Sequence, residues 1–549
     1  MSIPNSTIYI CSVAFNSSFE HTPFFESKSA QQSTFAECVQ RTYSAYTFLR
    51  ESTSIKVQAH KNDTETWNYL YFTNDSGENY YYYFIDRIEY INDSTVELFL
   101  TLDVMQTYHF RYDLLPSFVE RKHTMTDVPG DNIVEEDLDL GEYINYGDYH
   151  VTSMDTLCIL VLSSINLNWL SKQTDSSISA DIIKANPCLG SKIDGIYSGV
   201  GVYACDLAHW SALQIVLKKL DDKGLSDCVI SMWMFPKNFV TLASGHVWNS
   251  SSSSVIPEVY GFKNGTYSVY RPDDLNGYVP TNKKLLTYPY SFLYCHNNMG
   301  TSAIYKYELS SVNTHGARSV DFNLTGSVLP DGGIKIYPKL YKNSAIDYEE
   351  GITITGFPTC AWNQDAYKLW LAQNQSSHDL AMATGVLSIV AGAVAVGSSV
   401  ATGGLTAIGG GGAMLSGASQ IANLLASKKD ASVQPMQSKG SISGSVNVFS
   451  GNQHFTLQRK VIQNYKARII DDYFSLYGYA IKRVMKNGSD YDLRCARKCY
   501  TYIKTQGCKI KGSLPSDHAK QIQQIYDKGI TFWRNGQNIG EFWLDNSPL

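Results

Sequence analysis

The sequence predicts a β-rich α+β chain of several domains. Three observations carry that expectation: the length, the tyrosines, and a run of short alternating strands that one long uncharged segment interrupts. At 549 residues the chain exceeds the roughly 250–300 residues at which a single hydrophobic core stops growing. Its 38 Tyr, within a 13% aromatic content, suit β-strands and surfaces with one wet side. That combination points to a β-rich component of an assembly.

The elements follow in chain order. Residues 1–154 read as a β domain. Trp67–Phe72 and Tyr80–Ile91 alternate aromatic and β-branched positions, and Asn92-Asp93 separates the second from Val96–Leu102, which is the pattern of an antiparallel hairpin. From Asp127 to Asp148 the chain turns acidic and loop-like, with Glu135, Glu136, Asp137, Asp139 and Glu142 in one run. This run reads as a solvated or lumen-facing loop. As a carboxylate pair for glycoside hydrolysis it has nothing to fix the separation or raise one pKa.

Residues 155–284 read as an α/β or α+β insert. It contains a strand at Leu157–Leu162, a helix at Trp210–Leu220 with apolar Leu213, Ile215, Val216, Leu217 and Leu220, a stop at Gly224, and a buried strand at Cys228–Phe235. The β pattern returns over 285–375, and residues 376–444 hold the uncharged segment. Residues 445–549 complete the β domains.

Composition excludes several classes. A net charge of −6 supplies no clustered cations for gripping a phosphate backbone. No HExxH, Walker A, GxSxG or paired CxxC pattern is present, so no enzyme activity, cofactor or metal is expected. Cys495 and Cys499 stand one helical turn apart, which reads as a buried helix face rather than half a zinc site. The eleven Cys lack framework spacing and are expected to be reduced and buried. Met1-Ser-Ile-Pro has no basic and apolar leader, so synthesis in a cytoplasm is expected.

The segment Leu380–Ser427 carries no charged residue. Leu380–Val400 matches the roughly 20 residues that cross a bilayer as a helix. Its apolar positions are Leu380, Val386, Leu387, Ile389, Val390, Val394, Val396 and Val400, followed by Leu405 and Ile408. A second helical stretch carries Met414, Leu415, Ile421, Leu424 and Leu425, and Gly403, Gly404, Gly409, Gly410, Gly411 and Gly412 form a hinge between the two. Small residues allow close helix approach in a membrane. Membrane insertion, a buried core hairpin and a Gly/Ala linker all fit this composition. Exposed in water such a segment would aggregate, so it needs shelter, and the lumen of a ring or tube offers one.

Three collinear blocks resemble the tail-knob, or distal tube, protein of phi29-like short-tailed bacteriophages. The first is Val96-Glu-Leu-Phe-Leu-Thr-Leu-Asp-Val-Met-Gln-Thr-Tyr108 with Ser117-Phe-Val-Glu-Arg-Lys-His123. The second comprises Tyr477-Gly-Tyr-Ala-Ile-Lys-Arg-Val484, Tyr500-Thr-Tyr-Ile-Lys-Thr-Gln-Gly-Cys508 and Ile525-Tyr-Asp-Lys-Gly-Ile-Thr-Phe-Trp533. The third is the uncharged segment itself, in the corresponding interval.

The resemblance implies tube-forming, β-barrel-like domains assembled as a homohexameric ring at the distal end of a virion tail. It implies as partners the upper tail tube or connector, the tail tip, the host cytoplasmic membrane, and phage DNA passing through the lumen without sequence recognition. In that family apolar loops plug the lumen and later form a membrane channel, a role Leu380–Ser427 would fill here. A tail-associated cell-wall hydrolase and a receptor-binding adhesin are the alternatives.

Overall fold

The computed structural model describes all residues except 1–5, 50–52, 74–78, 151–155, 175–177, 194–195, 249–254, 311–318, 331, 343–347, 358, 362–440, 444–453 and 488–491. The chain is β-rich and divides into two compact units that interleave along the sequence. Unit 1 comprises residues 1–144, 273–291 and 461–549, and unit 2 comprises 145–272 and 292–460.

The N-terminal part of unit 1 contains β1 (Ile8–Cys11), β2 (His21–Pro23), α1 (Lys28–Glu37), β3 (Val39–Tyr43), β4 (Thr47–Leu49), β5 (Ser54–Gln58), β6 (Tyr69–Thr73), β7 (Tyr80–Asn92) and β8 (Thr95–Leu102). Seven of these form one sheet in the order β3-β1-β6-β7-β8-β5-β4. The hairpin expected around Asn92-Asp93 is β7–β8, with Asn92 opposite Thr95.

Strands β3 and β4 occupy opposite edges although only Ser44–Tyr46 join them. Four Cα steps reach about 15 Å, whereas the edges of a flat seven-stranded sheet lie about 29 Å apart. The sheet must therefore curl into a barrel with one unpaired seam. Consistent with this, the Phe48 ring on β4 lies 6.4 Å from that of Phe72 on β6.

Alternation then sorts the side chains. Ile8, Ile10, Ile55, Val57, Leu70, Val96, Leu98 and Leu100 fill the inside together with Tyr46. Cys11, Tyr69, Tyr71, Tyr82 and Phe84 face outward and are covered by Phe15, Phe25 and Phe35. Phe35, from α1, stacks on Tyr69 at 5.4 Å and contacts Tyr82 at 4.7 Å. The tyrosine excess thus builds an aromatic layer between the barrel and its helix.

The chain continues through α2 (Val104–Thr107), β9 (Tyr112–Leu114) and β10 (Ser117–Lys122). Residues Tyr143–His150 form a strand, so the acidic loop ends earlier than the expected Asp148.

Unit 2 is built around a sheet of β11 (Leu157–Ser163), β12 (Gly201–Asp206), β13 (Val229–Pro236), β14 (Thr359–Ala361) and β15 (Ser441–Ser443), in the order β12-β11-β13-β14-β15. Helix α3 (Trp210–Asp222) buries Ala212, Leu213, Val216 and Leu220, whereas Ile215 falls on its outer face and is exposed, and Gly224 follows it at φ 67°. A four-stranded sheet from Gly265–Tyr270, Ser319–Gly326, Ile334–Lys339 and Ile352–Ile354 shares the same core through Val320, Phe322, Ile336 and Ile354.

The last part of unit 1 comprises α4 (Asn464–Tyr477), β16 (Tyr479–Met485), β17 (Tyr500–Gln506), α5 (Ser516–Lys528) and β18 (Ile530–Trp533). Strands from both termini merge in the sheet β2-β18-β17-β10-β16. The β2–β18 pair is parallel, with His21 opposite Thr531. Helix α4 buries Ala467, Ile470 and Phe474, and α5 buries Ile522, Ile525 and Tyr526. Cys495 and Cys499 do not share a helix face: Cys495 N–H closes a turn onto Asp492 O, and the chain then bridges Arg497 to Pro548.

Candidate functional site

Every residue named above for the apolar segment and its glycine hinge lies between 362 and 440, outside the described residues. The base of that excursion is described. Strand β14 pairs antiparallel with β15, placing Thr359 opposite Ser443, Cys360 opposite Ile442 and Ala361 opposite Ser441. Opposed Cα atoms in such a ladder are about 4.5–5.5 Å apart. The chain therefore leaves the sheet at Ala361 and rejoins it at the neighbouring residue across the ladder. Strand β14 is held by β13 through Ser231, Met232 and Trp233, and β13 belongs to the buried core. Residues 362–440 are thus bracketed by one ladder of the sheet. Among the described residues no helix is long and apolar enough to cross a membrane.

In unit 1 the segment 273–291 joins unit 2 at both its ends and is gripped by three carboxylates. Asp471 on α4 accepts from Tyr278 Oη (2.7 Å), Thr281 N–H (2.7 Å), Asn282 N–H (2.9 Å) and Asn282 Nδ2 (2.8 Å). Asp127 accepts from Lys283 N–H (3.2 Å) and Tyr479 Oη (2.5 Å). Glu136 takes Lys284 Nζ at 2.6 Å, the Arg121 guanidinium and Ala480 N–H at 2.8 Å.

The side chains of Lys284, Glu136 and Arg121 are 2%, 4% and 10% exposed. Burial lowers the Lys284 pKa although Glu136 opposes the shift. Glu136 is thus the hub of a buried ion network and not part of a solvated acidic loop, as the sequence suggested. Asp139 does remain at the surface, paired with Lys466. Alternation along an extended segment turns one residue of an acidic run inward and its neighbours outward.

The block Asp103–Thr107 is a second knot. Asp103 caps α2 by accepting from Met105 and Gln106 N–H, and it also accepts from Tyr69 Oη at 2.8 Å. Burial pushes its carboxyl up to about 6 against those donors. Gln106 Nε2 donates to Thr22 and to Pro23 O, while Gln31 Nε2 donates to Gln106 Oε1. The motif therefore ties the barrel to α1 and β2.

His123 completes the first block: its Nδ1 accepts from Tyr502 N–H at 2.8 Å and its Nε2 donates to Ser475 O at 3.1 Å. That neutral tautomer satisfies both partners. Burial, reinforced by Arg497, lowers its pKa to about 3. His109, against Phe25 O at 3.0 Å, is likewise lowered to about 3 by burial and Arg494.

The resemblance blocks were legible as sequence, but the grip of Asp127, Glu136 and Asp471 on segment 273–291 was not, because partners such as Asp471 and Asn282 are far apart in the chain. Among the described residues no cluster of His, Cys, Asp and Glu has the arrangement of a metal site.

Residues 5–113, which span the barrel, match the N-terminal family of caudoviral major tail proteins. The tail knob proteins gp9 of Bacillus phages B103 and phi29 are 22% and 24% identical to the chain. Each alignment covers at least 97% of both partners. The solved tail knob protein gp12 of bacteriophage C1 shares the fold, with a TM-score of 0.62 at 15% identity over 97% of this chain and 98% of that one. The family of the Bacillus phage phi29 tail knob protein gp9, C-terminal domain, matches residues 258–547. With more than half of its length inside that match, the chain belongs to the phi29-type tail knob family of structural proteins of short-tailed phages.

Proposed function

We propose that this chain is a non-enzymatic conduit subunit of the tail. Six copies form a ring at the distal end of the virion, and residues 380–427 plug its lumen. On release those segments enter the host cytoplasmic membrane and open a channel for the genome. The observation that carries this reading is the β14–β15 clip. An excursion that leaves and re-enters the scaffold across one ladder, with the uncharged stretch 380–427 inside it, can move as a unit without breaking a core strand. The barrel at the N-terminus supports a tube wall, and a net charge of −6 per chain suits a conduit through which phosphate must slide. Glu136, held between two cations, argues against a hydrolase that uses the acidic run.

The test is liposome leakage with electron microscopy of the same preparations. Wild type should form six-fold rings and release dye. A deletion of Thr384–Ala422 should form open rings that release none. Val390→Asp with Val394→Asp should also abolish leakage, because each charge at a helix centre costs about 2.5–3.5 kcal/mol on insertion scales. Unchanged leakage from either variant would refute the membrane role, and monomers under all mild conditions would refute the ring.

A further inference from the structure

Among the described residues strand β16 ends its sheet, and the first part of its outer edge is covered where Glu136 accepts the Ala480 N–H. Beyond it lie Lys482, Arg483, Val484 and Lys486, all exposed, with Val484 at 67%. Pairing with β10 shifts register between Val119 and Arg121, and Lys482 sits at this irregularity with φ 46°.

Two clefts flank the strand. One of about 540 Å³ is lined by Lys482 with Phe118, Glu120, Lys504, Gln506 and Asp527, and one of about 400 Å³ by Arg483 with Lys122, Thr124, Thr126, Asp131 and Asn132. Lys482 lines the first cleft and Arg483 the second, so the two cations address different clefts.

The acids of the first cleft are already engaged. Glu120 pairs with Lys504 at 3.0 Å, and Asp527 accepts from Thr505 Oγ1 and Cys508 N–H. Among the described residues Lys482, Arg483 and Lys486 form no ion pair, and Asp131 is the one acid among the described residues that line the second cleft beside Arg483.

We infer that the open edge of β16 receives an extended acidic segment of another polypeptide, which adds as a strand and places adjacent carboxylates on Lys482 and Arg483. Main-chain bonds along an edge give affinity, and clefts for alternate side chains give specificity. Lysines also guard edges against aggregation, a role that needs neither cleft and predicts no ligand. Charge complementarity favours an acidic segment over a second β16, whose own Lys and Arg would face these.

The probe is a labelled seven-residue peptide, acetyl-Thr-Val-Thr-Glu-Glu-Val-Thr-amide, titrated by fluorescence anisotropy into the full-length assembled protein. It should bind and weaken as salt is raised. The version with Lys for both Glu should bind at least about tenfold less, equivalent to about 1.4 kcal/mol. Lys482→Glu with Arg483→Glu should reverse that preference while leaving thermal unfolding unchanged, and N-methylation of alternate peptide amides should abolish binding. The inference is overturned by equal binding of the two peptides, by indifference to N-methylation, or by no binding at all. It is also overturned if the double variant dissolves the ring and the peptide competes with assembly, because the edge would then be seated on a second copy. Rings that form normally and ignore the peptide leave the conduit reading intact.

Discussion

Glu136→Gln tests whether the buried ion network holds segment 273–291 in place. The substitution keeps the shape and one acceptor oxygen but removes the carboxylate bonded to both Arg121 and Lys284. It also brings an amide NH₂ towards donors that already point inward: Lys284 Nζ, the Arg121 guanidinium and Ala480 N–H. Both cations are almost fully buried, so neither can recover its hydration. Breaking a buried pair by removing one partner costs about 3–5 kcal/mol, most of it the uncompensated charge left behind. For a unit of this size each kcal/mol lowers Tm by about 2–4 °C, so a fall of about 6–20 °C is expected for the transition of unit 1.

The assay is calorimetry, which resolves separate transitions in a chain of two units. Asp139→Asn serves as the control, because Asp139 has the same chemistry on an exposed ion pair and should be barely measurable. Equal shifts for the two variants, or a Glu136→Gln loss under about 1 kcal/mol, would refute the hub.

Further outcomes follow from the knots. His109 and His123 have folded pKa values near 3 against 6.5 for the free side chain. The unfolded chain therefore takes up their protons first, and stability falls from about pH 6.5 downward towards 3. Asp103, raised to about 6 from 3.8, works the other way between those values, so urea midpoints should fall with acid and fall more steeply in Asp103→Asn. A flat profile from pH 7 to 4 would contradict the neutral assignment of both histidines. Asp103→Ala removes the α2 cap and the acceptor of Tyr69, and should cost about 2–4 kcal/mol in denaturant unfolding. Gly478 has φ 64° and ψ −153°, and an added Cβ would lie 2.3 Å from Lys122 C and 2.4 Å from His123 N. Gly478→Ala should therefore yield little soluble protein, and normal expression with wild-type Tm would show that this approach is not needed.

Local pattern determined much of this protein from the sequence alone. Alternation marked β6, β7 and β8, the 3.6-residue period marked α3, and Asn92-Asp93 marked the turn between long strands, because period and turn chemistry act over a few residues. The blocks around Asp103, Gln106 and His123 were visible as text, and they carried the family. Pairing between distant segments was decided only in three dimensions. The curl that brings β3 and β4 together depends on the order of seven strands. The inward turn of Glu136 depends on where Arg121 and Lys284 lie. The sheet that merges β2 with β18 joins the two ends of the chain. The β14–β15 clip is the clearest case: two three-residue strands carry almost no sequence signal, and the ladder between Ala361 and Ser441 forms because β13 already offers a buried edge on which β14 can pair.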